Sequence, residues 1–291
     1  MPRVLIAGCG FVGLATARLF AQRGWEVVGG THSEDSAQKL ATEPFRIVTF
    51  DLAEQESVAR HAALAPFDAI VHCASSGRGG AEQYRRVYLD GARHLATVFP
   101  SARLLFTSST SVYAQTDGSW VTEESAAEPD RETGRLLRET EEFVLARNGL
   151  VTRLAGIYGP GRSVLLRKFF DGTATIEGDG AKWLNQGHRD DIAAALFTLV
   201  SGETSGVFNV SDDQPLAQRE LYARLAERFQ RPLPPTGEPD LNRKRGWTNK
   251  RVSNARLRAL GWVPRYPSFF DAVEHDPELI SLAGENGGAQ P

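Results

Sequence analysis

The chain has few cysteines, little net charge and no long apolar segment. Its two cysteines, Cys9 and Cys73, both lie at the ends of predicted apolar strands, which suits a reduced cytoplasmic protein better than a disulfide framework. The net charge of -3 excludes a general electrostatic attraction to nucleic acid or to anionic membranes. No apolar stretch approaches the roughly 20 residues that span a bilayer. We therefore expect a cytoplasmic protein with a small-molecule substrate and without nucleic acid or membrane partners.

Short apolar strands alternate with helices through the first half of the chain. At 291 residues the chain is longer than most domains that are built around a single hydrophobic core, so a large domain and a smaller lobe are expected. Runs such as Ala69–Val71 and Leu104–Phe106 are typical of strands buried on both faces of a parallel sheet. The predicted strands are 3–7, 26–30, 46–50, 68–73, 103–107 and 150–154, with 207–210 joining late. This pattern predicts an α/β fold, a Rossmann-type doubly wound parallel sheet with a smaller C-terminal substrate lobe.

The first twenty residues contain the most informative motif. The apolar strand Arg3–Ala7 runs into Gly8, Gly10 and Gly13, and a helix is predicted to follow. In this arrangement Gly8 allows the tight turn, Gly10 the approach of a dinucleotide pyrophosphate, and Gly13 the close packing of helix on strand. The alternative is a structural turn of an α/β protein that binds nothing. The predicted pyrophosphate-binding residues are Gly8, Gly10, Phe11, Val12 and Gly13.

The ends of the next strands predict the rest of a cofactor site. An NAD site usually has an acid after the second strand to hold the ribose 2′-hydroxyl, but the chain has Thr31, His32 and Ser33 there. Hydrogen-bond donors without a carboxylate suit a 2′-phosphate, so NADP is expected and NAD is the less favoured cofactor. The remaining predicted cofactor residues are Asp51 and Leu52 after the third strand, and Cys73, Ala74 and Ser75 after the fourth. No metal site is expected.

These predictions divide the chain into two parts and a tail. Residues 1–158 and 187–211 form the predicted NAD(P)-binding Rossmann domain, and residues 159–186 with 212–277 form the substrate lobe. Residues 278–291 are predicted to be a flexible tail. The basic run Arg243–Arg245 leaves two interpretations open, capture of a substrate phosphate or a solvated surface loop.

Three further segments follow the later strands or precede a later helix. Ser108–Tyr113 follows the fifth strand, Arg153–Arg162 begins in the sixth, and Asn185–Asp191 precedes a predicted helix. Together with the glycine turn, these segments resemble the extended short-chain dehydrogenase/reductase family, which includes NAD(P)-dependent sugar epimerases and dehydratases. The Gly8-x-Gly10 spacing resembles an atypical subgroup of that family. The resemblance implies a Rossmann fold, a nicotinamide cofactor and a substrate-positioning serine at Ser109.

One departure from the family concerns the catalytic pair. The family uses a Tyr and a Lys four residues apart on one helix, where the Lys helps the phenol to exchange a proton with substrate. Here the Tyr position falls on Thr133, which we expect to be inert, and the Lys position falls on Leu137. Segment 115–150 contains neither Tyr nor Lys. Other possible proton donors, each with an ordinary structural explanation as well, are Tyr113, Tyr158, Tyr88, Glu123, Glu124 and His188.

Two functions remain open at this point. The first is an NADP-dependent oxidoreductase or epimerase-like enzyme acting on a small polar substrate, for example a nucleotide sugar. The second is a non-catalytic NADP-binding sensor or scaffold that kept the fold and lost the acid. The retained Ser109 favours the enzyme. A homodimer through helices 81–98 and 132–148 is a further possibility implied by the resemblance, although the charges around the second helix suit solvent exposure equally well.

Overall fold

A seven-stranded parallel sheet forms the centre of the molecule in the computed structural model, which describes residues 1–77, 79–242 and 246–280. The strands are β1 (Arg3–Ala7), β2 (Glu26–Thr31), β3 (Arg46–Thr49), β4 (Ala69–His72), β5 (Arg103–Ser109), β6 (Trp120–Val121), β7 (Leu150–Leu154), β8 (Gly156–Tyr158), β9 (Ile176–Glu177), β10 (Trp183–Leu184), β11 (Gln186–His188), β12 (Gly206–Val210), β13 (Leu216–Ala217), β14 (Thr236–Gly237) and β15 (Arg251–Val252). The helices are α1 (Phe11–Gln22), α2 (Glu34–Lys39), α3 (Gln55–Ala59), α4 (Ala81–Tyr84), α5 (Gly91–Val98), α6 (Glu132–Leu145), α7 (Val164–Phe170), α8 (Arg189–Ser201), α9 (Gln218–Phe229), α10 (Ala255–Arg258) and α11 (Phe269–His275).

The order of strands in the central sheet is β12-β7-β5-β4-β1-β2-β3. All neighbouring pairs are parallel, as continuous apolar strands covered on both faces require. The predicted doubly wound sheet is therefore confirmed, including the late strand beside β7. The chain crosses from β3 back to β4 beside β1, and this crossing opens a crevice at the carboxyl ends of those strands.

Helices cover the two faces of the sheet and bury separate apolar layers. On one face α1 and α8 pack together, with Phe20 and Leu196 among their fully buried side chains. On the other face α4, α5 and α6 bury residues such as Tyr84, Leu95 and Val144. Successive side chains of a strand point to opposite faces of the sheet, so alternate residues of each strand pack into the two layers.

A third apolar cluster lies in the second half of the chain. It joins Leu166 and Ile176 to Leu221 of α9 and Phe269 of α11, in keeping with a separate substrate lobe. The segment around β15 behaves differently, because Val252 packs with the layer of α6, and Leu257 and Trp262 pack with the layer of α1. The domain boundaries therefore stay a prediction. Of the predicted tail only residues 278–280 are described, and Arg243–Arg245 lies outside the described residues.

One predicted helix differs in detail from the structure. The helix expected over 81–98 contains a π-helical turn at Arg85–Asp90 between α4 and α5. Helix α9 begins at Gln218, directly after Leu216–Ala217, which pairs with Trp183–Leu184 as a short antiparallel ladder.

None of the helices in the described ranges combines the length and apolar character that a bilayer crossing requires. Across the same ranges, no three His, Cys, Asp or Glu side chains gather in a way that could hold a metal ion.

Candidate functional site

A cleft of about 770 Å³ lies outside the carboxyl ends of the central strands. It occupies the crevice beside β1 and β4, where open α/β sheets bind their ligands. Most of the predicted cofactor residues line it: Gly8, Gly10, Phe11, Val12, Thr31, His32, Asp51, Leu52, Cys73, Ala74 and Ser75. Gly13 and Ser33 are not part of this lining.

The glycines of the first turn have distinct spatial roles. Gly8 has a φ of 109°, and a Cβ there would lie 2.4 Å from Ala74 N. A Cβ at Gly13 would lie 2.0 Å from the Gly8 carbonyl oxygen, so helix and strand could not pack as they do. A Cβ at Gly10 would meet nothing within 4 Å, because this residue faces the open cleft.

Helix α1 presents unpartnered N–H groups to this space. Its N-cap residue, Gly10, has no side chain to cap the helix, and its first turn contains no acidic residue. The first N–H groups of a helix have no partner within the helix, and they favour an anion. The turn therefore fits a pyrophosphate both in space and in charge.

The carboxyl ends of β2 and β3 form one end of the cleft. Ser33 is the N-cap of α2, and its side chain accepts a hydrogen bond from the Ser36 N–H at 3.3 Å. Ser36 lines the cleft, whereas Ser33 does not. His32 Nδ1 lies 3.8 Å from Asp51 Oδ1. Asp51 Oδ1 also accepts from the Ala53 N–H at 2.9 Å, which holds this carboxylate beside the cleft.

The wall formed by β5 and α6 contains the residues expected to contact substrate. Ser108 and Ser109 line the cleft, and the Ser109 hydroxyl accepts from the Ser111 N–H at 3.2 Å. Leu137 of α6 also lines it, whereas Thr133, one turn earlier, is buried outside the lining. Leu137, the residue that the sequence places at the expected Lys position, therefore faces the site.

Tyr113 lies in a buried polar network beneath this wall. Its hydroxyl donates to Asn209 Oδ1 at 2.8 Å and accepts from Arg153 Nη1 at 2.9 Å, and its side chain is fully buried. Arg153 also donates to Glu141 from Nε and Nη2, and Ser108 Oγ donates to Glu141 Oε1 at 2.5 Å. Burial raises the pKa of Tyr113. The network fixes β5, β7 and α6 together, and the geometry gives Tyr113 a structural role.

Tyr88 is the one phenol in the cleft lining among the described residues. The Ser76 N–H donates to its oxygen at 3.1 Å, and the Ser76 hydroxyl lies 3.3 Å from it. Tyr88 lies in the π-helical turn Arg85–Asp90, a type of irregularity that is common at functional sites. Edge-to-face contacts with the rings of Tyr84 and Phe106 hold the side chain in place.

The other candidate proton donors from the sequence lie away from the lining. The Glu123 carboxylate accepts from the Asn209 N–H at 2.7 Å, and Glu124 lies 3.4 Å from Arg256 Nη1. Burial raises the pKa of Tyr158 well above its usual range. His188 is itself the N-cap of α8, accepting from the Asp190 N–H at 3.3 Å, and its Nε2 lies 3.1 Å from Asp276 Oδ2.

The two thiols in the lining stay protonated. Burial raises the pKa of Cys9 to about 12, and burial likewise raises that of Cys73, with a further contribution from Cys9. Neither thiol is therefore a nucleophile or a proton donor near neutral pH.

Several lining residues were not predicted from the sequence, among them Ser36, Ser76, Gln83, Thr107, Arg162 and Gln186. Arg162 had a signal, because it ends the Gly-Pro-Gly segment that follows the predicted strand 150–154. Gln186 and Ser76 had none, since their place in the cleft depends on how β11 and the loop after β4 pack.

The chain matches the family model for NAD dependent epimerases/dehydratases over residues 4–211. It belongs to the NAD-dependent epimerase/dehydratase family. The resemblance to extended short-chain dehydrogenases/reductases is thereby confirmed, and with it membership of a family of enzymes that bind an NAD(P) cofactor.

Individual relatives extend over nearly the whole chain. Protein YeeZ of Escherichia coli (strain K12) is 29% identical over 285 residues, which cover 92% of this chain and 97% of YeeZ. A conserved protein of unknown function from Silicibacter pomeroyi is 26% identical with a TM-score of 0.76, covering 96% of this chain and all of that one (100%). MoeE5, solved with UDP-glucose and NAD, is 20% identical with a TM-score of 0.79, covering 98% of this chain and 99% of its own, and shares the fold.

Proposed function

We propose that this protein is an NADP-dependent oxidoreductase or epimerase acting on a small polar substrate of the nucleotide-sugar class. The observation that supports this most directly is one continuous cleft, lined by the glycine turn at one point and by Ser109 at another. A nicotinamide cofactor bound in this cleft would supply hydride transfer to or from a substrate carbon. The residues that would hold the cofactor are those of the glycine turn together with Thr31, His32, Asp51, Leu52 and the Cys73–Ser75 segment.

The preference for NADP rests on the end of the cleft near β2. His32 and Ser36 line that end, and Thr31 donates to the Ser33 carbonyl at 3.3 Å, which keeps the loop tight. Asp51 is the single carboxylate in the lining among the described residues, and it already accepts from the Ala53 N–H. The His32 ring N–H and the Ser36 hydroxyl are the groups there that can donate to a 2′-phosphate.

Within the cleft, Ser109 would bind the substrate oxygen and Tyr88 would move the proton. The Ser76 N–H donates to the phenolic oxygen of Tyr88, which leaves the phenolic proton for a partner in the cleft and supports a phenolate after its transfer. Thr133 lies outside the lining, and Leu137 has no proton to give. Nucleotide-sugar chemistry is suggested by the shared fold with MoeE5, whose structure contains UDP-glucose.

The missing Tyr–Lys pair favours a second candidate, an NADP-binding sensor or scaffold without turnover. Titration calorimetry with NADPH and NADH at pH 6 measures the cofactor preference. A panel of nucleotide sugars is then followed by absorbance at 340 nm with NADPH or NADP⁺, and by chromatography of the sugars, because epimerisation leaves no net change of cofactor. Tighter binding of NADPH is expected, together with either substrate-dependent oxidation or reduction of cofactor or conversion of a sugar to its epimer. Equal affinities for NADPH and NADH would contradict the NADP preference, and tight NADPH binding without turnover on any substrate would favour the sensor.

A further inference from the structure

The turn Gly159–Arg162 brings an arginine to the cleft from the side of the substrate lobe. Pro160 and Gly161 take its two central positions, and Gly161 has a φ of 73°, as a type II turn requires. The Arg162 N–H donates to the Gly159 carbonyl at 2.9 Å, and the Gly159 N–H donates back to the Arg162 carbonyl at 2.9 Å. The backbone of Arg162 is held in place while its exposed side chain lines the cleft.

The ring of Phe11 lies beside two guanidinium groups. Its centroid is 5.3 Å from Arg162 Cζ and 5.2 Å from Arg189 Cζ. Phe11 is the first residue of α1, so its ring lies directly next to the glycine turn. Gly159 permits this close approach, since a Cβ there would lie 3.3 Å from Phe11 Cζ and 3.1 Å from Arg189 Cβ.

The two arginines differ in what else they contact. Arg189 Nε donates to Asp190 Oδ1 at 2.8 Å, and Arg189 does not line the cleft. The Arg162 side chain lines the cleft, and within the described parts of the chain its guanidinium is in contact with the Phe11 ring and pairs with no carboxylate. An arginine oriented by an aromatic ring but unpaired keeps its planar donors for an anion.

Building on the proposed function, we propose that Arg162 binds a diphosphate in the cleft, beside the N–H groups of the glycine turn, with Phe11 holding the guanidinium in position. A diphosphate suits this place because two planar N–H donors can bind two phosphate oxygens at once. The N-terminus of α1, whose first residue is Phe11, supplies further N–H groups nearby. The diphosphate could belong to the dinucleotide cofactor or to a nucleotide-sugar substrate, since both share this group.

Affinity measurements on matched variants test the assignment without relying on turnover. Dissociation constants for NADPH, for 2′-AMP, for inorganic pyrophosphate and for UDP in the presence of NADPH are measured by calorimetry. Arg162→Met keeps the length of the side chain and leaves the backbone turn intact. Arg189→Met is the control, because it removes a charge beside the same ring outside the cleft, and Phe11→Leu removes the ring itself.

Arg162→Met should raise the Kd of pyrophosphate and of NADPH or UDP about tenfold or more, while 2′-AMP, which has no diphosphate, is unaffected. Phe11→Leu should weaken the same ligands less, and Arg162→Lys should restore part of the loss. A loss confined to NADPH assigns the diphosphate to the cofactor, and a loss confined to UDP assigns it to the substrate.

Unchanged affinities in Arg162→Met, or an equal loss in Arg189→Met, would overturn the assignment. A wild-type protein that binds pyrophosphate through Arg162 but not NADPH would refute the proposed function and leave this inference standing. Failure of the wild type to bind any of these ligands would refute both.

Discussion

At the scale of single residues, Gly10 offers the clearest test of cofactor binding. Gly10 has a φ of -87° and open space where a Cβ would go, so Gly10→Ala should fold normally. The added methyl group would stand where a pyrophosphate meets the backbone, and should weaken NADPH binding at least tenfold, about 1.4 kcal/mol. Calorimetry measures the loss, and an unchanged Kd would place the cofactor elsewhere. Gly13→Ala is the contrasting variant, because its Cβ would collide with the Gly8 carbonyl and the fold itself should suffer.

Two tyrosines near the same wall should respond differently to loss of their hydroxyl groups. Tyr88→Phe keeps the ring contacts and removes the phenol from the cleft, so turnover should fall by about 10² or more while NADPH affinity is retained. Tyr113→Phe leaves Arg153 and Asn209 short of a partner, so the free energy of unfolding should drop by about 1–3 kcal/mol without a specific loss of turnover. Steady-state kinetics and urea denaturation on both variants separate the roles. Full turnover in Tyr88→Phe would remove Tyr88 from the mechanism.

Ser109 and Thr133 provide a second comparison at the same wall. Ser109→Ala should damage turnover, because this hydroxyl lines the cleft, whereas Thr133→Ala should change it little. If Thr133→Ala lowered turnover as much as Ser109→Ala, helix α6 would contribute to catalysis through its first turn after all.

At the scale of elements, helix α6 is anchored by one buried carboxylate. Glu141 is fully buried and binds Arg153, Arg138 and Ser108, which joins the helix to β7 and β5. Glu141→Leu leaves the buried Arg153 without its counter-charge, and should lower the free energy of unfolding by about 3–5 kcal/mol. Glu142→Leu, one residue on and 67% exposed, is the control and should stay within about 0.5 kcal/mol. Equal unfolding midpoints for the two variants would contradict the anchoring role.

The elements also show what a sequence can and cannot predict in this fold. Strands such as β1 and β4 were predictable because apolar runs buried on both faces leave few alternatives, and the glycine turn was predictable because only glycine fits at Gly8 and Gly13. The π-helical turn around Tyr88 was not predictable, since buried residues such as Tyr84, Val87, Tyr88 and Ala92 keep the i, i+3, i+4, i+8 spacing of an ordinary helix. The N-cap role of Ser33 was not predicted either, because a serine after a strand suits ligand binding and helix capping equally well.

At the scale of the whole molecule, one lysine ties distant segments together. Lys250 is buried, and its Nζ donates to the Tyr113 carbonyl at 2.9 Å and to Thr248 Oγ1 at 2.8 Å. The preceding residue, Asn249, accepts from the Trp183 N–H, so the segment before β15 contacts both the first half of the chain and the strand β10. Burial, together with the nearby charge of Lys182, lowers the pKa of Lys250 to about 7.

This lowered pKa predicts a stability that rises with pH. Between pH 7 and the usual lysine pKa near 10.4, the unfolded chain holds a proton on Lys250 that the folded chain does not, so unfolding takes up a proton and stability increases with pH. Below that window both states hold the proton, and the full cost of burying the charge remains. The free energy of unfolding of the wild type, relative to Lys250→Met, should therefore rise across the window with a slope of up to about 1.4 kcal/mol per pH unit. Urea denaturation at pH 6, 7, 8 and 9 measures the slope, with the exposed Lys39→Met as the control for loss of a surface charge. A difference between wild type and Lys250→Met that stays constant from pH 6 to 9 would mean that Lys250 keeps its charge in the folded protein.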